Sequence, residues 1–140
     1  MSLFSVWLET QGDGLVRADQ VVGIEAHQTP ALMGKPARWL LDVVLASAVG
    51  SGQQGEWGLN VLHRTLMQTP ESPGDAPAVL ARLLAQLDAT SAAGVIKVRR
   101  HGTSEGAGAD DIEVGSSVVR FRFEPFTSPP PGHHTGAEYL

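Results

Sequence analysis

Val118-Val119-Arg120-Phe121-Arg122-Phe123-Glu124 alternates apolar and charged side chains along nearly its whole length. A strand turns successive side chains to opposite faces, so Val119, Phe121 and Phe123 share one face, and Arg120, Arg122 and Glu124 the other. Val95-Ile96-Lys97-Val98-Arg99 repeats the pattern, with Ile96 and Val98 against Lys97 and Arg99. One buried face and one wet face is the habit of an antiparallel sheet. If the two runs are neighbours across the 101–117 stretch, Lys97, Arg99, Arg120 and Arg122 crowd one exposed face.

Between these runs and the N-terminal half lies a different period. Val79, Leu80, Leu83, Leu84 and Leu87 recur at helical spacing, with Arg82, Gln86 and Asp88 on the opposite side. Asp75 stands where an N-cap belongs, and Pro77 falls in the first turn, where its missing N–H costs nothing. The spacing predicts one amphipathic helix over residues 75–90.

Towards the N-terminus the signals are again extended. Phe4 to Glu9 alternates, Gln11-Gly12-Asp13-Gly14 is a hairpin turn signal, and Leu15-Val16-Arg17 returns. Ala18-Asp19-Gln20 reads as a bend or bulge before extended Val21 to Ala26. Trp39 to Val49 reads either way. A strand would place Leu40, Asp42, Val44 and Ala46 on one face, whereas a helix would line up Leu40, Leu41, Val44 and Leu45. The strand is preferred, because the loop at 50–55 leads into Trp57 to His63 as in a hairpin. Residues 27–37, 67–75 and 101–117 read as connections. The class that follows is α+β: a curved antiparallel sheet of about five to six strands, covered on one side by helix 75–90.

The chain has 140 residues, with 10 basic and 15 acidic side chains and a net charge of −5. That length suits a single globular domain, placed at residues 1–126, followed by a flexible Pro/Gly/His-containing tail at 127–140. A hydrophobic share of 42% against 18% charged excludes disorder throughout. The absence of cysteine excludes disulfides, thiolate metal sites and a thiol nucleophile. The acidic balance argues against nucleic acid as a partner. No basic start precedes an apolar run, and no apolar stretch is long enough for a bilayer, so a cytoplasmic location without membrane attachment is expected.

Catalytic constellations are missing from the text. Gly50-Ser51-Gly52 and Gly115-Ser116-Ser117 lack the spacing of a nucleophile elbow, and Gly102, Gly106 and Gly108 lack a phosphate-loop lysine. Asp110, Asp111 and Glu113 sit in a Gly/Ala-rich stretch where carboxylates stay hydrated. Of the five histidines, only His133 and His134 are close in sequence, and adjacent strand residues face apart, so no metal or other cofactor is expected.

Two signals remain. Lys97, Arg99, Arg120 and Arg122 are candidates for holding an anion or a partner, although Asp110, Asp111, Glu113 and Glu124 are near enough to neutralise them. Trp7 runs out of phase with Val6 and Leu8, which makes it a candidate contact residue on the outer sheet face. The resulting expectation is a non-enzymatic binding or assembly module whose partner is a second copy, as a homodimer, or another protein. The alternative is a ligand-binding or enzymatic domain, with Arg99 or Arg120 holding an anion between sheet and helix.

Overall fold

The computed structural model describes residues 2–12, 14–47, 62–102, 106 and 108–127. The glycine loop at 50–55, most of the 57–63 run and the tail histidines His133 and His134 lie outside the described residues.

The elements run in the order β1 (Val6–Thr10), β2 (Gly14–Arg17), a 3-10 turn (Ala18–Gln20), β3 (Val21–Gln28), β4 (Trp39–Leu45), β5 (His63–Thr69), α1 (Ala76–Ala89), β6 (Gly94–Arg100), β7 (Ile112–Gly115) and β8 (Val119–Pro125). This is an α+β fold with largely antiparallel pairing. Its strands divide between a five-stranded sheet, β2-β1-β6-β8-β7, and a three-stranded sheet, β3-β4-β5. The exception to antiparallel pairing is β1 with β6, which run parallel with Val6 opposite Gly94 and Leu8 opposite Ile96.

The alternating runs form adjacent central strands. β6 and β8 pair with Ile96 opposite Phe123, Val98 opposite Phe121 and Arg99 opposite Arg120. Ile96, Val98, Val119, Phe121 and Phe123 are buried on the inner face. Helix α1 turns Val79, Leu80, Leu83, Leu84 and Leu87 into the same core, where they meet Val6 and Leu8 of β1 and Leu41, Val43 and Leu45 of β4. One buried cluster therefore joins both sheets and the helix.

Local chemistry sets the ends of the elements. Asp75 occupies the helix N-cap but makes no side-chain capping bond; its carbonyl accepts from Val79 N at 3.0 Å. At the other end Ser91 takes a left-handed conformation (φ 49°). Ala92 N donates to Leu87 O and Ser91 N to Asp88 O, the Schellman pattern with serine where glycine is usual. The β1–β2 hairpin turns at Gly12 (φ 78°), and Thr10 Oγ1 donates to Gly14 O across it.

Three stretches differ from the sequence expectation. Residues 39–45 are a strand, and its partner begins at His63 and continues to Thr69, into the stretch read as a connection. The run His63-Arg64-Thr65-Leu66-Met67-Gln68-Thr69 carries a register shift opposite Leu41/Asp42, which breaks the alternation that would have marked it. The 101–117 stretch contains β7, whose Ile112 and Val114 reach the core while Glu113 faces outward beside Arg122. β3 extends to Gln28, and the following hairpin closes at Leu32–Lys35 rather than in an open loop. No helix among the described residues is long and apolar enough to cross a membrane.

Candidate functional site

The outer face of the five-stranded sheet collects the basic set. In register, Lys97 lies opposite Arg122 and Arg99 opposite Arg120, placing like charges side by side. Such a ladder is stable only with anions between the cations. Lys97 Nζ lies 3.1 Å from Glu124 Oε1, and Arg120 Nη1 lies 3.6 Å from Glu113 Oε1. Arg122 Nε donates to Glu113 Oε2 at 2.9 Å, and Arg99 Nη1 donates to Glu9 Oε1 at 2.6 Å. Glu113 and Glu124 are among the acids expected from the sequence. Glu9 is not, because only the parallel β1–β6 pairing brings it there.

Arg122 differs from its neighbours. It is 6% exposed, and its Nη1 also donates to Gly106 O at 3.3 Å, so the segment before β7 reaches over this end of the face. Asp111 serves its own loop by accepting from Gly108 N. Trp7 lies on the outer face opposite Arg17 and Val95, half-buried rather than open.

The basic set and the helix stand on opposite sides of the sheet. A cleft of about 440 Å³ does separate α1 from β7, but Val79, Arg82, Leu83, Gln86, Val114 and Gly115 line it. Arg99 instead borders a cleft of about 660 Å³ with Thr10, Leu66, Met67, Val98 and Arg100, where the end of β1 meets β5. Glu9 lines that cleft as well and holds the guanidinium, so the wall presents an ion pair rather than a bare cation. Among the described residues neither arginine lines the cleft between α1 and β7; Arg120 borders a separate one of about 200 Å³ with His101, Glu113, Val114, Gly115 and Ser116.

No family model, curated protein or solved structure matches the chain. The assignment of function rests on the geometry alone.

Two features of the three-stranded sheet were not legible as sites. The first is the β3–β4 hairpin, whose tip is Leu32-Met33-Gly34-Lys35. Leu32 N and Lys35 N each donate to the other's carbonyl, and both Met33 (φ 37°) and Gly34 (φ 80°) adopt positive φ. Glycine does this freely, but methionine there is strained. Met33 is 99% exposed and Leu32 61%. Among the described residues β3 ends the sheet, with β4 as its partner and a register shift at Val22, which is 68% exposed.

The second lies on one face of the same sheet. Register sets Glu25 of β3 opposite Asp42 of β4, and Asp42 opposite Thr65 of β5. His27 Nε2 lies 2.9 Å from Asp42 Oδ2, Thr65 Oγ1 donates to Asp42 Oδ1 at 2.8 Å, and His63 Nε2 lies 3.8 Å from Glu25 Oε1. Asp42 is 3% exposed, and the histidines are half-exposed. The one available signal was a lone carboxylate within Leu40-Leu41-Asp42-Val43-Val44, an otherwise apolar strand.

Proposed function

We propose that the chain is a non-enzymatic assembly module that pairs with a second copy of itself along β3 and the hairpin tip beyond it. The observation that carries this reading is the edge. β3 spans Val21–Gln28, twice the length of the edge strands β2 and β7 and one residue longer than β5 at the other edge of its own sheet. It contains neither lysine nor proline, and unlike β5 it leads to an exposed apolar hairpin tip. Sheet edges are templates for another strand, and proteins that stay monomeric blunt them with short strands, charge or proline. The shift at Val22 blunts only the start of β3. From Gly23 to Gln28 the strand is regular, and it leads to Leu32 and Met33, two exposed apolar side chains at a strained turn.

A twofold pairing suits these features. Two antiparallel β3 strands join the three-stranded sheets of both copies into one, and every contact between two different residues occurs twice, once on each side of the axis. An apolar groove runs beside the edge, lined by Val21, Val22, Ile24, Pro77, Ala81 and Leu84, with a volume of about 480 Å³. A partner strand laid along β3 brings its own Val22 towards that groove. The charged outer face of the larger sheet takes no part, because its cations are already matched to carboxylates.

Light scattering at increasing protein concentration tests the reading. The expected molar mass rises from 14.8 kDa towards twice that value. The double variant Val22→Lys/Met33→Lys, altering two exposed positions, should stay monomeric at every concentration with an unchanged circular dichroism spectrum. A parent chain that remains monomeric throughout, or a double variant that dimerises as the parent does, refutes it.

A further inference from the structure

We infer that the face formed by Glu25, His27, Asp42 and His63 is a binding site for a divalent transition-metal ion of the zinc type. Glu25, His27 and Asp42 each offer a ligand atom, and these atoms lie within 4.8 Å of one another. His63 adds a second imidazole, 3.8 Å from Glu25. Zinc bonds of about 2.0–2.2 Å put tetrahedral donors about 3.3–3.6 Å apart. The His27–Asp42 separation of 2.9 Å and the His63–Glu25 separation of 3.8 Å bracket that span. Glu25, His27 and His63 are half-exposed, so modest side-chain rotations close the set around one ion.

Two independent observations favour an ion over a purely structural cluster. Glu25 and Asp42 are directly opposed across the β3–β4 ladder, and like charges in that position repel. Asp42 is moreover almost fully buried, and a buried carboxylate requires a compensating charge. A divalent cation relieves both while its imidazole ligands stay neutral. The second observation is orientation. Thr65 donates to Asp42 Oδ1 and leaves Oδ2 turned towards His27, the way outer hydrogen bonds fix a ligating carboxylate. All five residues stand on paired strands rather than loops, so the backbone that carries the donors is held in place before any ion arrives. The mixture of imidazole and carboxylate selects zinc-like ions over calcium and magnesium, which take oxygen ligands.

The test uses the full chain, freed of metal with a chelator. Titration with Co²⁺ should develop the visible absorption band of a tetrahedral N/O site, saturating at one ion per chain, and Zn²⁺ should displace it. Calorimetry should record Zn²⁺ binding but no binding of Mg²⁺. His27→Ala and His63→Ala, at half-exposed positions that leave the fold intact, should each weaken Zn²⁺ binding at least tenfold. Thr65→Val should weaken it by about tenfold, the usual loss when a supporting hydrogen bond is removed. The control His133→Ala/His134→Ala should bind as the parent does. The proposal fails if no cobalt band appears and Zn²⁺ gives no heat. It fails equally if binding survives in His27→Ala and His63→Ala, or disappears in the tail control. Because the donors lie on a sheet face and the dimer reading concerns an edge, either result leaves the oligomeric state to be decided on its own.

Discussion

Removing the guanidinium of Arg122 should destabilise the fold several times more than removing that of Arg120, although the two are neighbours on one strand and share Glu113. Arg122 is 6% exposed, whereas the Arg120 side chain is 30% exposed. The Arg122→Ala variant loses the 2.9 Å bond to Glu113 and the 3.3 Å bond to Gly106 O. A hydrogen bond to a charged group contributes about 1.5–3 kcal/mol, and two buried methylenes of the stem add about 1.6 kcal/mol. Water reaches the Glu113 and Glu124 carboxylates, each about 30% exposed, and offsets part of the loss. A net cost of about 3 kcal/mol results. Arg120 gives up a 3.6 Å ion pair at the surface, a loss of about 0–1 kcal/mol.

Urea denaturation separates the two. With a slope of about 1–3 kcal/mol per molar urea, Arg122→Ala should lower the midpoint by about 1–3 M, and Arg120→Ala should move it far less. In molar salt, where the screening length is about 3 Å, the Arg120 effect should vanish and most of the Arg122 effect should remain. Arg122→Met, which restores the stem, should recover about half the loss. Equal midpoints for the two alanine variants would refute the reasoning. They would mean that Arg122 is another surface cation, and that the outer face is open to a polyanion.

Two further substitutions probe the packing. Leu83 is 2% exposed on the inward side of α1, so Leu83→Ala should cost about 2–5 kcal/mol in the same titration, while exposed Arg82→Ala changes it by less than about 0.5 kcal/mol. A Cβ at Gly94 would stand 2.3 Å from Glu124 O and 2.7 Å from Pro125 Cα, and Gly94 N already donates to Ser5 O on the other side. Neither flanking strand can yield, so Gly94→Ala should cost about 1–3 kcal/mol or more, whereas Gly106→Ala, with open space around it, should be neutral.

The legible parts of the fold are those written in local period. β6 and β8 alternate cleanly, α1 carries an uninterrupted apolar stripe, and glycine marks the first hairpin. β5 was hidden because the register shift beside Asp42 breaks its pattern, leaving Leu66 and Thr69 as its buried positions. β7 was hidden by length, since four residues ending in glycine between Asp111 and Ser116 look like loop. The split into two sheets has no local signature, being decided by which distant strands meet. The candidate sites follow the same rule. The basic face emerges from two adjacent strands, but Glu9 enters it through a parallel pairing. The His27–Asp42–Thr65 contact needs the register of three strands, so residue spacing along the chain says nothing about it.

The parallel pair of β1 and β6 also fixes a sequence of events. The first hairpin can form as soon as it leaves the ribosome, yet β1 then holds one edge open until residues 94–100 are made. β3, β4, β5 and α1 are all synthesised in that interval. Pairings between distant segments carry a large loop-closure entropy and form slowly. Closure of the larger sheet is thus a late step, and nascent chains halted before Gly94 present the inner faces of β1 and α1 without their cover. The strand made first is completed only after the helix.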